Sequence, residues 1–500
     1  MFVVFKRLFR TRPKTPYKLG QPTYETRPHY LTKPGYLTPG ISAIEYYDRR
    51  LQLIKQLPKK SLTILVGNSV QYSSGSVFYD FQQDNNLFYM SGWLEPGSIG
   101  VLEKVDDKGT DEDMVFHMLV PDNDPYTEIW EGEKSGLQGC YNNFNPDSVE
   151  DVKNYKKYLT SLIKHHDYIF IDKQSSNDFN SFFSLHKDQT REDIHQLLKT
   201  HASGKTVKPI NSVIAKMREV KSPSEIKVMH KAGQISSRAI NKAVAKVGSS
   251  NPYMSEKSLA AYLDYEFIRS GCDKQAYIPV VAGGENALVI HYTRNDDLLY
   301  KDELVFVDAG GKLGGYCADI SRAWPISGTF TEPQKDIYDV VLSVNKACID
   351  QCYADNQMSL NDLHDFSVRK LHSNLKNLPG FAHVSRSEVT KNLYPHYIGH
   401  HLGLDLHDVP GVSKFTKLLP GNVVTIEPGL YIPKDDKWPK HYQGIGVRVE
   451  DDVAVGQTFK DSINLTSGCV KEVKDIEALI SSGRCSTPGI YDELTDLHID

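Results

Sequence analysis

The chain has 500 residues, 40% of them hydrophobic and 24% charged, and a formal net charge of -5. That length exceeds one ordinary core and suits two domains plus tails. The dispersed basic residues give no case for nucleic acid as a partner, and no apolar run approaches the roughly 20 residues of a bilayer-crossing helix.

No acidic residue precedes Glu25, while Lys6, Arg7, Arg10, Arg12, Lys14 and Lys18 all lie before it. Phe2, Phe5, Leu8 and Phe9 would share one face of a short helix there. An acid-free, Arg-rich amphipathic leader has the pattern of a mitochondrial transit peptide; a disordered basic tail is the alternative. From Arg12 to Pro39 prolines recur (Pro13, Pro16, Pro22, Pro28, Pro34, Pro39), which blocks helix and predicts an extended arm.

Helical periodicity begins at Tyr46–Leu57. Strand-like segments follow at Leu62–Val66, Val77–Phe81, Leu87–Met90, Ile99–Leu102 and Met114–Val120. Helical patterns at Ser148–Lys164 and Glu192–Leu198 flank a strand at Tyr168–Ile171. The alternation predicts a mixed α/β domain ending near residue 205. Ser222-Pro223-Ser224-Glu225 reads as a capping box with proline at the first helical position, and opens a second domain. Seven cysteines (Cys140, Cys272, Cys317, Cys348, Cys352, Cys469, Cys485) form no CxxC pair and are expected as free thiols in a reducing compartment.

In the second domain apolar strands run into carboxylates. Leu304–Val307 leads to Asp308, and Asp319 follows eleven positions later, past a turn at Gly314-Gly315 that would bring the two acids onto neighbouring strands. Val423–Ile426 leads to Glu427, and Ile445–Val449 leads to Glu450. Singly, such acids are commonest as solvated strand ends. Four together are costly to desolvate without a partner, and hard oxygen donors suit Mn²⁺ or a similar divalent cation. His396, His400, His401 and His407 fall within twelve residues, with glycines among them. Four carboxylates and an imidazole suffice for two metal ions roughly 3.5–4 Å apart, able to generate hydroxide at neutral pH.

These segments resemble the Xaa-Pro aminopeptidase branch of the pita-bread metallopeptidases. The match covers His291-Tyr292-Thr293, Asp308-Ala309-Gly310, Asp319-Ile320-Ser321-Arg322, the His396 to His407 block, Glu427-Pro428-Gly429-Leu430-Tyr431 and Gly446-Val447-Arg448-Val449-Glu450-Asp451, in the family's order. The first domain adds Asp84–Tyr89 and Asp124–Gly132, which a methionine aminopeptidase would lack. The fold implied is a mixed α/β domain followed by a pita-bread α+β metallopeptidase domain. The boundaries expected are 1–40 for the targeting segment and arm, 41–205, 206–480, and 481–500 for a flexible tail.

The resemblance implies metal ligands at Asp308, Asp319, His400, Glu427 and Glu450, holding two divalent ions, Mn²⁺ by expectation. Asp308 would also lie near the substrate's free amine. It implies Glu427 as general base, His407 as the group steadying the tetrahedral intermediate, and His291 and His396 as the lining for the second residue. Arg448 and Tyr431 would support the ligands, and His401 is expected outside the chemistry. Gly20–His29 and Leu37–Tyr47 are similar to the mitochondrial members, among them the intermediate cleaving peptidases. This implies removal of one residue from the N-termini of peptides or imported proteins on the matrix side, by a homo-oligomer without a transmembrane segment, peripheral to the inner membrane at most. A prolidase-type dipeptidase and a non-catalytic peptide-binding module share the fold and remain the alternatives.

Overall fold

The computed structural model describes residues 19–172, 189–250, 252–485 and 497–499. The leader expected up to about residue 18 lies outside them, as does most of the expected tail. The chain divides into two compact units, residues 1–214 with 496–498, and residues 215–495 with 499–500.

In the first unit helix α1 (Ala43–Gln56) begins at the Ser42 cap, whose side chain accepts from Glu45 N. The sheet comprises β1 (Ser61–Val66), β2 (Ile99–Lys104), β3 (Met114–Val120), β4 (Ser148–Asp151), β5 (Tyr168–Ile171) and β6 (Thr206–Pro209), in the order β6-β5-β1-β2-β3-β4. β2 is antiparallel to both neighbours, and the other pairings are parallel. One face carries Leu62, Ile64, Val66, Ile99 and Val101 against Leu159 and Ile163 of α3 (Tyr155–His165) and Ile194 and Leu198 of α4 (Gln189–His201). Each such fully buried side chain contributes about 1.5–3 kcal/mol.

Helix α2 (Asn85–Ser91) covers the other face, where Leu87 lies against Gly100. It corrects the strand expected at Leu87–Met90. All four residues are buried, so periodicity does not separate strand from helix. The ends decide: Asp84 accepts from Asn86 N and Leu87 N, each at 3.0 Å, and Gly92 closes the helix at φ 70°. The helix expected from Ser148 starts instead at Tyr155, because Ser148–Asp151 pairs with the edge of β3. The strand expected at Val77–Phe81 is reduced to Val77–Phe78, paired with Tyr72–Ser74.

The second unit opens with α5 (Pro223–Lys246), where Ser222 and Glu225 form the reciprocal capping box. α6 (Glu256–Arg269) follows. Strands β7 (Val280–Gly283), β8 (Leu304–Asp308) and β9 (Ser321–Pro325) form an antiparallel sheet in which Asp308 pairs with Ser321. Helices α7 (Glu332–Ile349) and α8 (Leu360–Leu375) come next. β10 (Val423–Ile426) pairs with β13 (Asp451–Ala454), and β11 (Gly429–Tyr431) with β12 (Gly446–Arg448). Seven cysteines are free, six of them buried. Among the described residues no helix is long and apolar enough to cross a membrane.

Candidate metal centre

Four strand ends deliver the acids. Asp308 is the last residue of β8, Asp319 lies two positions before β9, Glu427 follows β10, and Glu450 sits between β12 and β13. All four line one cavity of about 610 Å³ together with His291, His396, His400, His407 and Arg448. Asp319, His400 and Glu450 each offer a ligand atom, all within 4.8 Å of one another. His400 Nε2 lies 3.5 Å from Asp319 and 3.7 Å from Glu427. Its Nδ1 donates to the His401 carbonyl at 3.0 Å, which leaves Nε2 facing the acids.

Burial and mutual repulsion load this cluster. Burial, with Asp319, Glu427 and Asp308 adding to it, pushes the Glu450 carboxyl well above its ordinary range. Burial also raises Asp308, against the pull of Arg448, and raises Glu427 against His400 and Arg448. Burial opposes a charge on His400, but Asp319 and Glu427 outweigh it and lift it to about 9. Four converging carboxylates against Arg448 and His400 cannot all ionise cheaply in a water-poor site, which is why three of them are pushed towards the neutral form. Divalent cations relieve that repulsion, so the donor set fits a metal centre of hard oxygen ligands plus one imidazole.

A hydrogen-bonded frame holds these groups. Arg448 pairs with Asp308, donates from Nε to Ser321 Oγ at 2.9 Å and from Nη1 to the Tyr431 hydroxyl at 2.8 Å. Ser321 in turn donates to Glu450 at 2.6 Å. His396 Nδ1 donates to the Tyr397 carbonyl at 2.8 Å, so its Nε2 accepts from Tyr431 at 2.9 Å. Burial first, then Arg448, hold His396 neutral, at about 3. The His407 and His400 rings lie 4.3 Å apart, near edge to face. His401, expected outside the chemistry, also lines the cavity; it is buried, and its Nδ1 has no hydrogen-bond partner among the described residues.

Three contributors escaped the sequence reading. The Tyr277 hydroxyl reaches both Asp308 and Asp319 at 2.5 Å. No pattern around Tyr277 announces this. Thr425 accepts from His400 N at 3.1 Å and donates to Glu427 at 3.3 Å. A lone hydroxyl within the apolar run Val423–Ile426 was the available signal. Asp452 accepts from Asp319 N at 3.0 Å and is buried.

Residues 46–170 match the aminopeptidase P N-terminal domain, and residues 227–457 match metallopeptidase family M24. Intermediate cleaving peptidase 55 of Saccharomyces cerevisiae is 49% identical over 480 residues, covering 95% of this chain and 91% of the relative. Xaa-Pro aminopeptidase 3 of Homo sapiens is 34% identical over 476 residues, covering 93% and 90%. Among solved structures, the yeast intermediate cleaving peptidase 55 bound to the inhibitor apstatin matches with a TM-score of 0.75 at 47% identity, covering 89% of this chain and 99% of that one. Aminopeptidase P of Escherichia coli matches with a TM-score of 0.78 at 29% identity, covering 89% and 100%.

Proposed function

Because this chain belongs to metallopeptidase family M24 and carries an aminopeptidase P N-terminal domain ahead of the peptidase domain, we propose that it acts as an intermediate cleaving peptidase, trimming one residue from the N-termini of imported mitochondrial proteins after presequence removal. The enzyme is a metal-dependent aminopeptidase with a pita-bread catalytic domain, and it is mitochondrial. We assign it to the matrix side, with the boundary between the two domains near residue 214 rather than the expected 205, since β6 (Thr206–Pro209) belongs to the first sheet.

The observation that carries the reading is the convergence of Asp308, Asp319, His400, Glu427 and Glu450 on one cavity. These five residues would hold two divalent ions, Mn²⁺ by the character of the donors. When bound, such ions supply activated water at neutral pH and charge stabilisation for a developing oxyanion. Asp308 attracts the ammonium of the substrate's first residue. Glu427 takes a proton from the attacking water and returns it to the departing amine. His407 donates to the oxyanion. His291 and the neutral His396 line the position of the second residue. Arg448, through Asp308 and through Ser321 to Glu450, keeps the acids in register.

The test is mass analysis of products from Mn²⁺-loaded protein given two peptide sets, one with proline second and one starting with Tyr, Leu or Phe before a small residue. Loss of one residue from both sets is expected. Loss from the proline set alone would remove the imported-protein role. Cleavage of an Xaa-Pro dipeptide but not of an Xaa-Pro-Xaa tripeptide would make the enzyme a dipeptidase instead.

A further inference from the structure

The loop 399–412 carries His400 and His407, and a charged cluster centred on Asp408, which also lines the cavity, braces it. Asp408 accepts from Lys221 Nζ at 2.9 Å on one oxygen and from Arg218 Nη2 at 2.5 Å on the other. Arg218 also donates to Asp405 at 2.6 Å. The Lys221 and Asp408 side chains are each 1% exposed. Removing one partner from such a buried pair leaves a charge uncompensated. Gly403 lies hard against it, since a Cβ there would stand 2.4 Å from the Asp408 carboxylate and 3.1 Å from Lys221 Cε.

The backbone of Asp408 leads to the metal centre. Its N–H donates to the His401 carbonyl at 2.9 Å. The same carbonyl accepts from His400 Nδ1 at 3.0 Å. Asp408 also follows His407 directly. Val409, next in the chain, has φ +44°. A β-branched residue keeps that left-handed conformation only where its surroundings over-determine it. The chain is therefore held here against its local preference, beside the two histidines.

We infer that Asp408, clamped by Lys221 and Arg218, is a positioning residue that orients the His400 imidazole through the His401 carbonyl. The inference rests on the reading of His400 as a metal ligand. An imidazole ligand depends on whatever fixes its other ring nitrogen, and loss of such support costs roughly 10–100-fold in metal affinity or rate.

The test uses the full chain and two variants that strike the clamp from different sides, Lys221→Met and Gly403→Ala. Mn²⁺ affinity is measured by calorimetric titration, kcat and KM on an Xaa-Pro-Xaa tripeptide, and folding by melting temperature. Both variants should bind Mn²⁺ roughly 10–100-fold more weakly, with kcat falling and KM nearly unchanged. Lys221→Arg, which restores the cation, should regain most of the affinity. As a control, Glu266→Gln breaks the ion pairs of buried Glu266 with Lys242 and Arg269, each at 3.0 Å, among residues that do not line the cavity. It should lower the melting temperature and leave Mn²⁺ affinity alone. If Lys221→Met and Gly403→Ala fold and bind Mn²⁺ like the parent while His400→Ala does not, the clamp has no positioning role. If His400→Ala also binds normally, the ligand reading falls, and this inference with it.

Discussion

Arg448 and His396 are joined through a single hydroxyl: Tyr431 oxygen lies 2.8 Å from Arg448 Nη1 and 2.9 Å from His396 Nε2. Arg448 donates to it and it donates to His396, so the guanidinium that pairs with Asp308 also fixes the direction of the hydrogen bond that reaches a pocket histidine. Tyr431→Phe removes one oxygen and leaves two buried groups short of a partner, at a cost of about 1–3 kcal/mol each. We expect a lower melting temperature and a drop of about tenfold in kcat/KM on a proline-second tripeptide, the rate effect of 1.4 kcal/mol. Unchanged kcat/KM would show that the His396 orientation does not matter to the substrate.

Glu427 is assigned the proton transfer. Glu427→Gln keeps its shape and its contact with Thr425, at 3.3 Å in the parent, while removing the base. Turnover should fall by at least about 10²-fold, the lower range for general-base contributions, with the far-ultraviolet circular dichroism spectrum retained. Turnover near the parent value would assign the base elsewhere.

Metal removal should expose the electrostatic load on the cluster. Without cations, burial and the Asp319 charge push Asp308 up from 3.8 to about 7, against the pull of Arg448. Burial opposes charging of His400, yet its acidic neighbours raise it from 6.5 to about 9. An acid with a raised folded-state pKa loses stability as pH climbs from its unfolded value through its folded one. Protonated His400 stabilises the fold below 6.5, and that contribution is lost as pH rises through about 9. Both signs agree. The chelated protein should therefore melt progressively lower between pH 4 and 9, and the gap to the Mn²⁺-loaded protein should widen. A gap constant with pH would contradict the assignment.

In the first domain Glu103 lies between two imidazoles, 2.6 Å from His117 and 3.1 Å from His166. Burial works to raise its pKa, but the hydrogen bonds from both histidines prevail and hold it at about 2. His166 is raised despite burial, through its bond to Glu103. The Glu103 contribution is present above 4.5 and lost as pH falls through about 2. The His166 contribution is present below 6.5 and lost above it. Amide protection in β2 and β3, taken relative to the intrinsic exchange rate at each pH, should be greatest between these limits, and Glu103→Gln should flatten the profile on both sides.

Self-association is expected through the first domain. Its helix Pro125–Glu131 buries no residue, and Tyr126, Ile129 and Trp130 are 71%, 79% and 75% exposed. Large exposed apolar patches mark interaction sites. Sedimentation of the full chain should show an oligomer that Ile129→Asp with Trp130→Ala converts to monomer. A monomeric parent chain would rule out this use of the patch.

The sequence by itself determined the chemistry of the centre: carboxylates at the ends of apolar strands, a histidine-rich loop, and the Ser222 box that opens the second domain. These are local facts of strand termini and caps, and local text carries them. Tertiary structure alone decided the rest. Leu87–Met90 is apolar throughout, so only the Asp84 and Gly92 ends and the packing of Leu87 on Gly100 make it a helix. Tyr277 bridges two acids 31 and 42 positions away. Lys221 meets Asp408 across 187 residues. Nothing in a short window of sequence encodes such contacts, because they exist only once β8, β9 and the loop 399–412 have been folded onto one cavity.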